Sequence, residues 1–335
     1  MNILITTADI DFDTVMYFKD ALGDSGKVFA SNSIMSSALM KADEYVITPR
    51  ISDESYINFL IDYCKENNIT AIITRHDLDL IVLSKNKDLF KKNGITVIVS
   101  DEQVIKTCND KWSAYQLLSS IGLKQPKTYI DRELLKQDLL SNVVSFPLIM
   151  KPRWGCGSYS IFQIDDLDEL EVLYRKTYRN IFRTFMKYES INAKEQCIII
   201  QEKIDGVECG MDVLNDLNNN YVTTIAKKKL AIRVNTLSAE IVDKMPFENI
   251  AKKISENLKH IGNLDVDCFV TETGDIYVID LNCRFGGQYV FSHFAGTNFP
   301  KQIIDWLEGL PTSPDNLKVE IGFRGSRDDS LIVKY

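Results

Sequence analysis

The first hundred residues set short β-branched runs between amphipathic stretches, and this alternation constrains the fold more than any other feature. The runs are NILITT at 2–7, KVFAS at 27–31, EYVIT at 44–48, AIITR at 71–75 and ITVIVS at 95–100, with helical patterns over 56–66 and 78–92. Strands separated by helices imply a parallel sheet, so the expected unit is a doubly wound α/β domain. No G-x-G-x-x-G follows the first strand, so the dinucleotide fingerprint is missing. Ligands of such sheets meet the carboxyl ends of strands. TRHDLDL stands at one such end, making Asp77 and Asp79 candidate contacts for a substrate amine or hydroxyl. Helix capping by Asp77 is the alternative.

Near the other end, NLDVDCFVTETGDIYVIDLNCRFGG places Asp267 thirteen positions before Asp280, with Asn282 and Arg284 alternating beyond it. In strands of period two, Asp280, Asn282 and Arg284 share a face, and a turn over 272–275 folds Asp267 onto the neighbouring strand. Three hard oxygen ligands and a guanidinium then converge. Such a set suits Mg²⁺ carrying a polyphosphate, because Mg²⁺ combines one or two carboxylates with phosphate oxygens and water. An ordinary hairpin with polar residues facing solvent is the alternative.

At 335 residues the chain calls for two or three packed units. The boundaries expected are 1–108, 109–205 and 206–335, the first break falling just before Lys111, where Asn109 or Asp110 can cap a helix that Gly122 stops. A net charge of -8 argues against nucleic acid as partner, since phosphate backbones are held by clustered Lys and Arg. Seven cysteines without a C-x-x-C pair fit reduced thiols. The opening MNILITTADIDFD has no basic region before its apolar run and reads as a buried strand, and no apolar stretch is long enough to span a membrane. A cytoplasmic protein with a small-molecule partner is the expectation.

The second unit reads strand, helix (131–140), strand, Gly-rich loop, strand, helix (166–185), strand. In LIMKPRWGCGSYSIF, Lys151 precedes Gly155, Gly157 and Ser158. Glycines let backbone N–H groups approach a phosphate, and the lysine adds a point charge. A hairpin that needs its glycines to turn is the alternative. In CIIIQEKIDGVECGMDVL an apolar strand ends at Glu202, Lys203 and Ile204, whose backbone edge matches the donors and acceptors of adenine, while Glu208 can accept ribose hydroxyls. A salt-bridged strand end is the alternative. The third unit reads as antiparallel strands, a helix over 247–260, the acidic hairpin, a helix near 298–308 and a last strand in KVEIGFRG.

Together these segments resemble the ATP-grasp superfamily, most closely its carbamoyl-phosphate-synthase-like and carboxylate–amine ligase members, over nearly the whole chain. The resemblance implies an α/β pre-domain followed by a two-subdomain α+β clasp for ATP. It implies that Lys111, Lys151 and the loop Gly155 to Ser158 touch the phosphates, that Glu202, Lys203 and Ile204 bind adenine, and that Glu208 binds ribose. Asp267, Asp280 and Asn282 would hold Mg²⁺, with Mn²⁺ as an alternative ion, and Arg284 would steady the transferred phosphoryl group. Arg233, with Lys228 or Lys229, stands on a strand able to face phosphate or substrate, a solvated basic strand being the alternative. Three departures stand out: Asp280 where the family often has Glu, Ser160 where it has glycine, and RVNTLSAE where a Gly and a Glu follow the lysine-rich strand.

Expelling oxide from a carboxylate is prohibitive, so the chemistry consistent with the site is phosphoryl transfer from ATP to a carboxylate, then attack by an amine. His76, His260 and His293 have no evident nucleophile partner, and Cys156 and Cys283 read as packing residues. The Gly-rich loop is expected to close over ATP and exclude water. A phosphotransferase using the same clasp and a non-catalytic ATP-binding regulator remain as alternatives. Family members are frequently dimers, so a homodimer is one expected form.

Overall fold

The computed structural model describes residues 1–9, 13–155, 157, 159–184, 186–233 and 236–327. The amino-terminal unit holds β1 (Asn2–Thr6), α1 (Asp13–Leu22), β2 (Val28–Asn32), β3 (Glu44–Ile47), α2 (Tyr56–Glu66), β4 (Ile69–Thr74), α3 (Asp77–Lys85), α4 (Lys87–Lys92), β5 (Thr96–Val97) and α5 (Glu102–Asn109). Its five strands are all parallel, in the order β3-β2-β1-β4-β5. The expected helix over 78–92 is two helices. Asn86 leaves helical geometry at φ -109°, ψ 9°, and its side-chain amide donates to the Val82 carbonyl.

Next come α6 (Lys111–Ser120), β6 (Thr128–Tyr129), α7 (Arg132–Leu140), β7 (Leu148–Pro152), β8 (Phe162–Ile164), α8 (Leu167–Arg183), α9 (Lys187–Ser190) and β9 (Ile198–Glu202). These strands form an antiparallel sheet in the order β6-β9-β7-β8. The remainder is β10 (Val207–Asn215), β11 (Tyr221–Ile232), β12 (Thr236–Val242), α10 (Met245–Leu258), β13 (Gly262–Val270), β14 (Ile276–Asn282), α11 (Tyr289–Phe294), α12 (Phe299–Leu307) and β15 (Arg324–Ser326). Here six antiparallel strands run β14-β13-β10-β11-β12-β15. The strand expected in KVEIGFRG shrinks to the short β15, because Lys318 and Glu320 bond to Thr297 and Ala295 instead and the chain meets β12 only after the turn at Ile321 and Gly322.

The three sheets do not pack as three equal bodies. Leu4, Leu60, Ile72, Ile105 and Leu118 of the amino-terminal half share one apolar cluster with Met211, Val266 and Leu281 of the six-stranded sheet. A second shared cluster joins Phe18 of α1 to Phe285 and Phe299. The four-stranded sheet keeps its own core, built from Leu148 and Met150 under Leu135, Leu170 and Ile181 of α7 and α8. Burial of apolar surface therefore welds the first and third units while leaving the second attached through fewer apolar contacts. No helix among the described residues is long and apolar enough to cross a membrane.

Candidate active site

A cleft of about 550 Å³ opens between the four-stranded and six-stranded sheets. That volume lies in the usual range for small-molecule sites. Its floor is the β13–β14 ladder, whose register sets Asp267 opposite Asp280 and Asp265 opposite Asn282. Period-two geometry turns both pairs toward the cleft, and Arg284 follows, its amide donating to the Asn282 carbonyl at 2.8 Å. Asp265 was not expected. The alternation in NLDVD could have revealed it, since Asp265 and Asp267 must share a face. Gln288 donates to Asp265 and, at 3.4 Å, to Asp267 Oδ1. Burial, then the Asp267 charge, pushes the Asp265 carboxyl up to about 6. Two glycines are required beneath this set: a Cβ on Gly286 would fall 2.2 Å from the Asp265 carboxylate, and one on Gly210 would fall 1.8 Å from Gln288 Oε1.

Among the described residues, no group of three or more His, Cys, Asp or Glu is placed to hold a metal ion. The facing carboxylates of Asp267 and Asp280, with the Asn282 carboxamide beside them, instead fit an ion that completes its shell with phosphate oxygens and water, as Mg²⁺ does.

Cations surround this acidic floor. Lys111 opens α6, which Asp110 caps by accepting from the Trp112 amide. Lys111 Nζ donates to the Gly155 carbonyl at 3.0 Å and lies 3.3 Å from Asp280 Oδ2. Asp110 also receives Arg153 in a fork of 2.6 and 2.5 Å, pinning the start of α6 to the Gly-rich loop. Lys151 on β7 is 7 % exposed and finds no hydrogen-bond or ion-pair partner among the described residues. Burial pushes its ammonium down to about 8, against the opposing pull of Asp280.

Gly155 (φ +139°) and Gly157 (φ +65°) adopt backbone conformations that favour glycine, and a Cβ on Gly155 would lie 2.7 Å from Met186 Sδ. Ser160 keeps a left-handed φ of 58°, and its hydroxyl accepts from Asn180 Nδ2 at 3.1 Å. Ser158 and Cys156 lie outside the described residues.

At the end of the cleft where adenine is expected, Glu202, Lys203 and Ile204 line the wall, the last two beyond the final residue paired in the β7–β9 ladder. The Glu202 amide already donates to the Lys127 carbonyl at 2.9 Å, so the open backbone edge belongs to Lys203 and Ile204. Glu208, the second residue of β10, pairs at 2.6 Å with Lys229 of β11, which also reaches Asp267 at 2.6 Å. Lys229 thus faces the cleft, whereas Lys228 is exposed. Arg233 follows the end of β11, exposed and outside the cleft lining.

The two aspartates of TRHDLDL part company. Asp77 Oδ1 receives Arg284 Nε at 3.1 Å. Asp79 is corrected as a substrate contact: its side chain turns into the domain core, 0 % exposed, and accepts from Thr6 (2.5 Å), Thr7 (2.9 Å) and Tyr56 (2.9 Å). A helix advances 100° per residue, so residues two apart cannot face one site. Helix capping by Asp77 is also not seen, His76 holding the cap position of α3. Glu189, unforeseen in the sequence, joins Asp77, Lys111 and Asn282 around a small side chamber, and burial, then Asp77, pushes its carboxyl up to about 7.

Two family models match the chain. Residues 3–98 match the PylC-like N-terminal domain, and residues 108–288 match the ATP-grasp domain. The carbamoyl phosphate synthase large chain of Helicobacter pylori is 24% identical over 234 residues, covering 64% of this chain. The chain spans only about 20% of that relative's length. Biotin carboxylase from Campylobacter jejuni, solved as a β-γ-ATP complex, superposes with a TM-score of 0.74 at 19% identity, over 95% of this chain and 73% of that one. L-amino acid ligase from Bacillus licheniformis superposes with a TM-score of 0.73 at 18% identity, over 96% and 78%. At such identities the superpositions report the fold.

Proposed function

We propose, for a chain that belongs to the ATP-grasp family, an ATP- and Mg²⁺-dependent ligase that activates a small carboxylate as an acyl phosphate and joins it to an amine, releasing ADP and phosphate. The observation that carries this reading is Lys151: an ammonium buried at a cleft wall, without a hydrogen-bond or ion-pair partner among the described residues, favours an anion beside it. Facing it, Asp267, Asp280 and Asn282 supply the oxygen donors that Mg²⁺ uses when it is shared with a polyphosphate. The ion supplies charge neutralisation at the transferring phosphoryl group.

The protein's own part is positioning. Lys203 and Ile204 present backbone to adenine, Glu208 accepts from ribose, and Lys111, Lys151 and the backbone of Gly155 and Gly157 hold the phosphates. Arg284 faces the transferred group. A carboxylate oxygen attacks the γ-phosphorus and ADP departs. The amine, having shed its proton, then attacks the acyl carbon and phosphate departs. No side-chain nucleophile is needed. The separate core of the four-stranded sheet suits closure of that subdomain as one body, excluding water from the acyl phosphate. Asp77 and the neighbouring Glu189 border the acceptor end, and the described cysteines, all free and buried, suit a reducing compartment such as the cytosol.

Incubation with Mg·ATP, a panel of small acids and hydroxylamine tests the reading. ADP together with an acid-dependent hydroxamate is expected. AMP as the nucleotide product contradicts it.

A further inference from the structure

Arg284 is held by two carboxylates from distant parts of the chain. Its Nε lies 3.1 Å from Asp77 Oδ1, in the first turn of α3, and its Nη1 lies 3.4 Å from Asp265 Oδ2, on β13. Nη1 also donates to the Phe285 carbonyl at 3.4 Å, and Arg75 Nε reaches the same carbonyl at 3.2 Å. All three side chains of the Asp77–Arg284–Asp265 set are largely withdrawn from solvent, so these contacts are weakly screened. A guanidinium is a planar fork, and fixing Nε and Nη1 fixes the direction of the whole plane.

We infer that Asp77 is a positioning residue for phosphoryl transfer: with Asp265 it sets the plane of Arg284, through which the parallel-sheet domain reaches the reacting phosphoryl group. The inference rests on the role given to Arg284 above. It also explains why the pre-domain is welded to the six-stranded sheet, since α5 and α6 packed on β14 keep the two carboxylates at a constant separation. A displacement of α3 at the carboxyl edge of β4 moves Arg284 directly, so whatever binds that edge acts on the phosphoryl site through Asp77.

The test is calorimetric titration with Mg·ADP, alone and with aluminium fluoride, which mimics the phosphoryl group in flight. Wild-type protein is expected to bind Mg·ADP more tightly when fluoroaluminate is present. Asp77→Asn is expected to bind Mg·ADP alone as wild type does and to lose about tenfold of the fluoroaluminate effect, the size of one charge-assisted hydrogen bond. Asp77→Glu, which keeps the charge, is expected to recover part of it. An undiminished fluoroaluminate effect in Asp77→Asn overturns the positioning role alone. Equal loss of Mg·ADP binding and thermal stability in both variants overturns it in favour of a structural role. No fluoroaluminate effect in the wild type overturns the role of Arg284 itself, and the positioning of Asp77 falls with it.

Discussion

Lys229 Nζ lies 2.6 Å from Asp267 Oδ1, and Lys111 Nζ lies 3.3 Å from Asp280 Oδ2, so each of the two facing aspartates has an ammonium beside it. Burial opposes the Lys229 charge, yet Asp267 and Glu208 outweigh it and hold that ammonium above the ordinary lysine range. A divalent ion reaching Asp267 must share it with Lys229. Replacing Lys229 with methionine is therefore predicted to raise the affinity of the nucleotide-free protein for Mn²⁺ about tenfold, the size of one lost competing charge pair. Electron paramagnetic resonance titration of free Mn²⁺ checks this. Unchanged or weaker binding would remove Asp267 from the ion's neighbourhood.

Lys151 predicts a pH dependence. Its folded value of about 8 lies below the ordinary 10.5, so between these the unfolded chain binds the proton more readily than the native one. Stability from this group accordingly rises with pH across that window. Nucleotide favours the ammonium, so Mg·ADP affinity should fall as pH rises above 8. Above pH 8, binding should take up a fraction of a proton, the share of Lys151 then neutral. Calorimetry in buffers of different ionisation enthalpy measures that uptake. Lys151→Met should weaken Mg·ADP binding about ten- to hundredfold while leaving the nucleotide-free protein at least as stable, because it deletes an unpaired buried charge.

Gly155→Ala meets two obstacles, a φ of +139° and Met186 Sδ at 2.7 Å from the new methyl group. The backbone strain alone is about 1–3 kcal/mol. Part of it can relax only by moving the carbonyl that Lys111 holds. Lower thermal stability and weaker Mg·ADP binding are expected together, read by thermal melts with and without nucleotide. A variant that binds nucleotide as wild type does would show the loop geometry to be incidental.

Behind the site, Asp212 and Lys227 form a fully buried ion pair. Ser292 and Asn263 complete its hydrogen bonding to Asp212, at 2.5 and 3.2 Å. Asp212→Ala strands the ammonium in a dry interior, and a loss of about 3–5 kcal/mol is expected in denaturant unfolding. A loss below about 1 kcal/mol would mean that Lys227 finds another partner or sheds its proton.

The acidic hairpin was legible in part, because strand periodicity alone puts Asp280, Asn282 and Arg284 on one face. The pairing of Asp267 with Asp280 needs the one-residue register shift beside Cys268, which counting back from the turn does not give. The helix over 56–66 was equally local, its apolar positions repeating at helical spacing. What escaped the sequence was set by distant contacts. Asp79 carries the same chemistry as Asp77, and only the packing of α3 against Thr6 and Tyr56 turns it inward. Glu189 gains its environment from Asp77, Asp110 and Lys111, none of them near it in sequence. The strand β12 (Thr236–Val242) was hidden in RVNTLSAE because its pairing with β11 and β15 carries it, not its own weak pattern. The core shared by the first and third units likewise has no local signature.

An acyl phosphate, as proposed, carries one carboxylate oxygen into the phosphate product, so oxygen transfer reports it directly. Once a screen of acids and amines identifies a pair that releases ADP from Mg·ATP, the acid is labelled with ¹⁸O in its carboxylate and the phosphate product is weighed. With an acyl phosphate intermediate, one labelled oxygen is expected in each phosphate released. Unlabelled phosphate, with the label retained in the acid or lost to water, would contradict it.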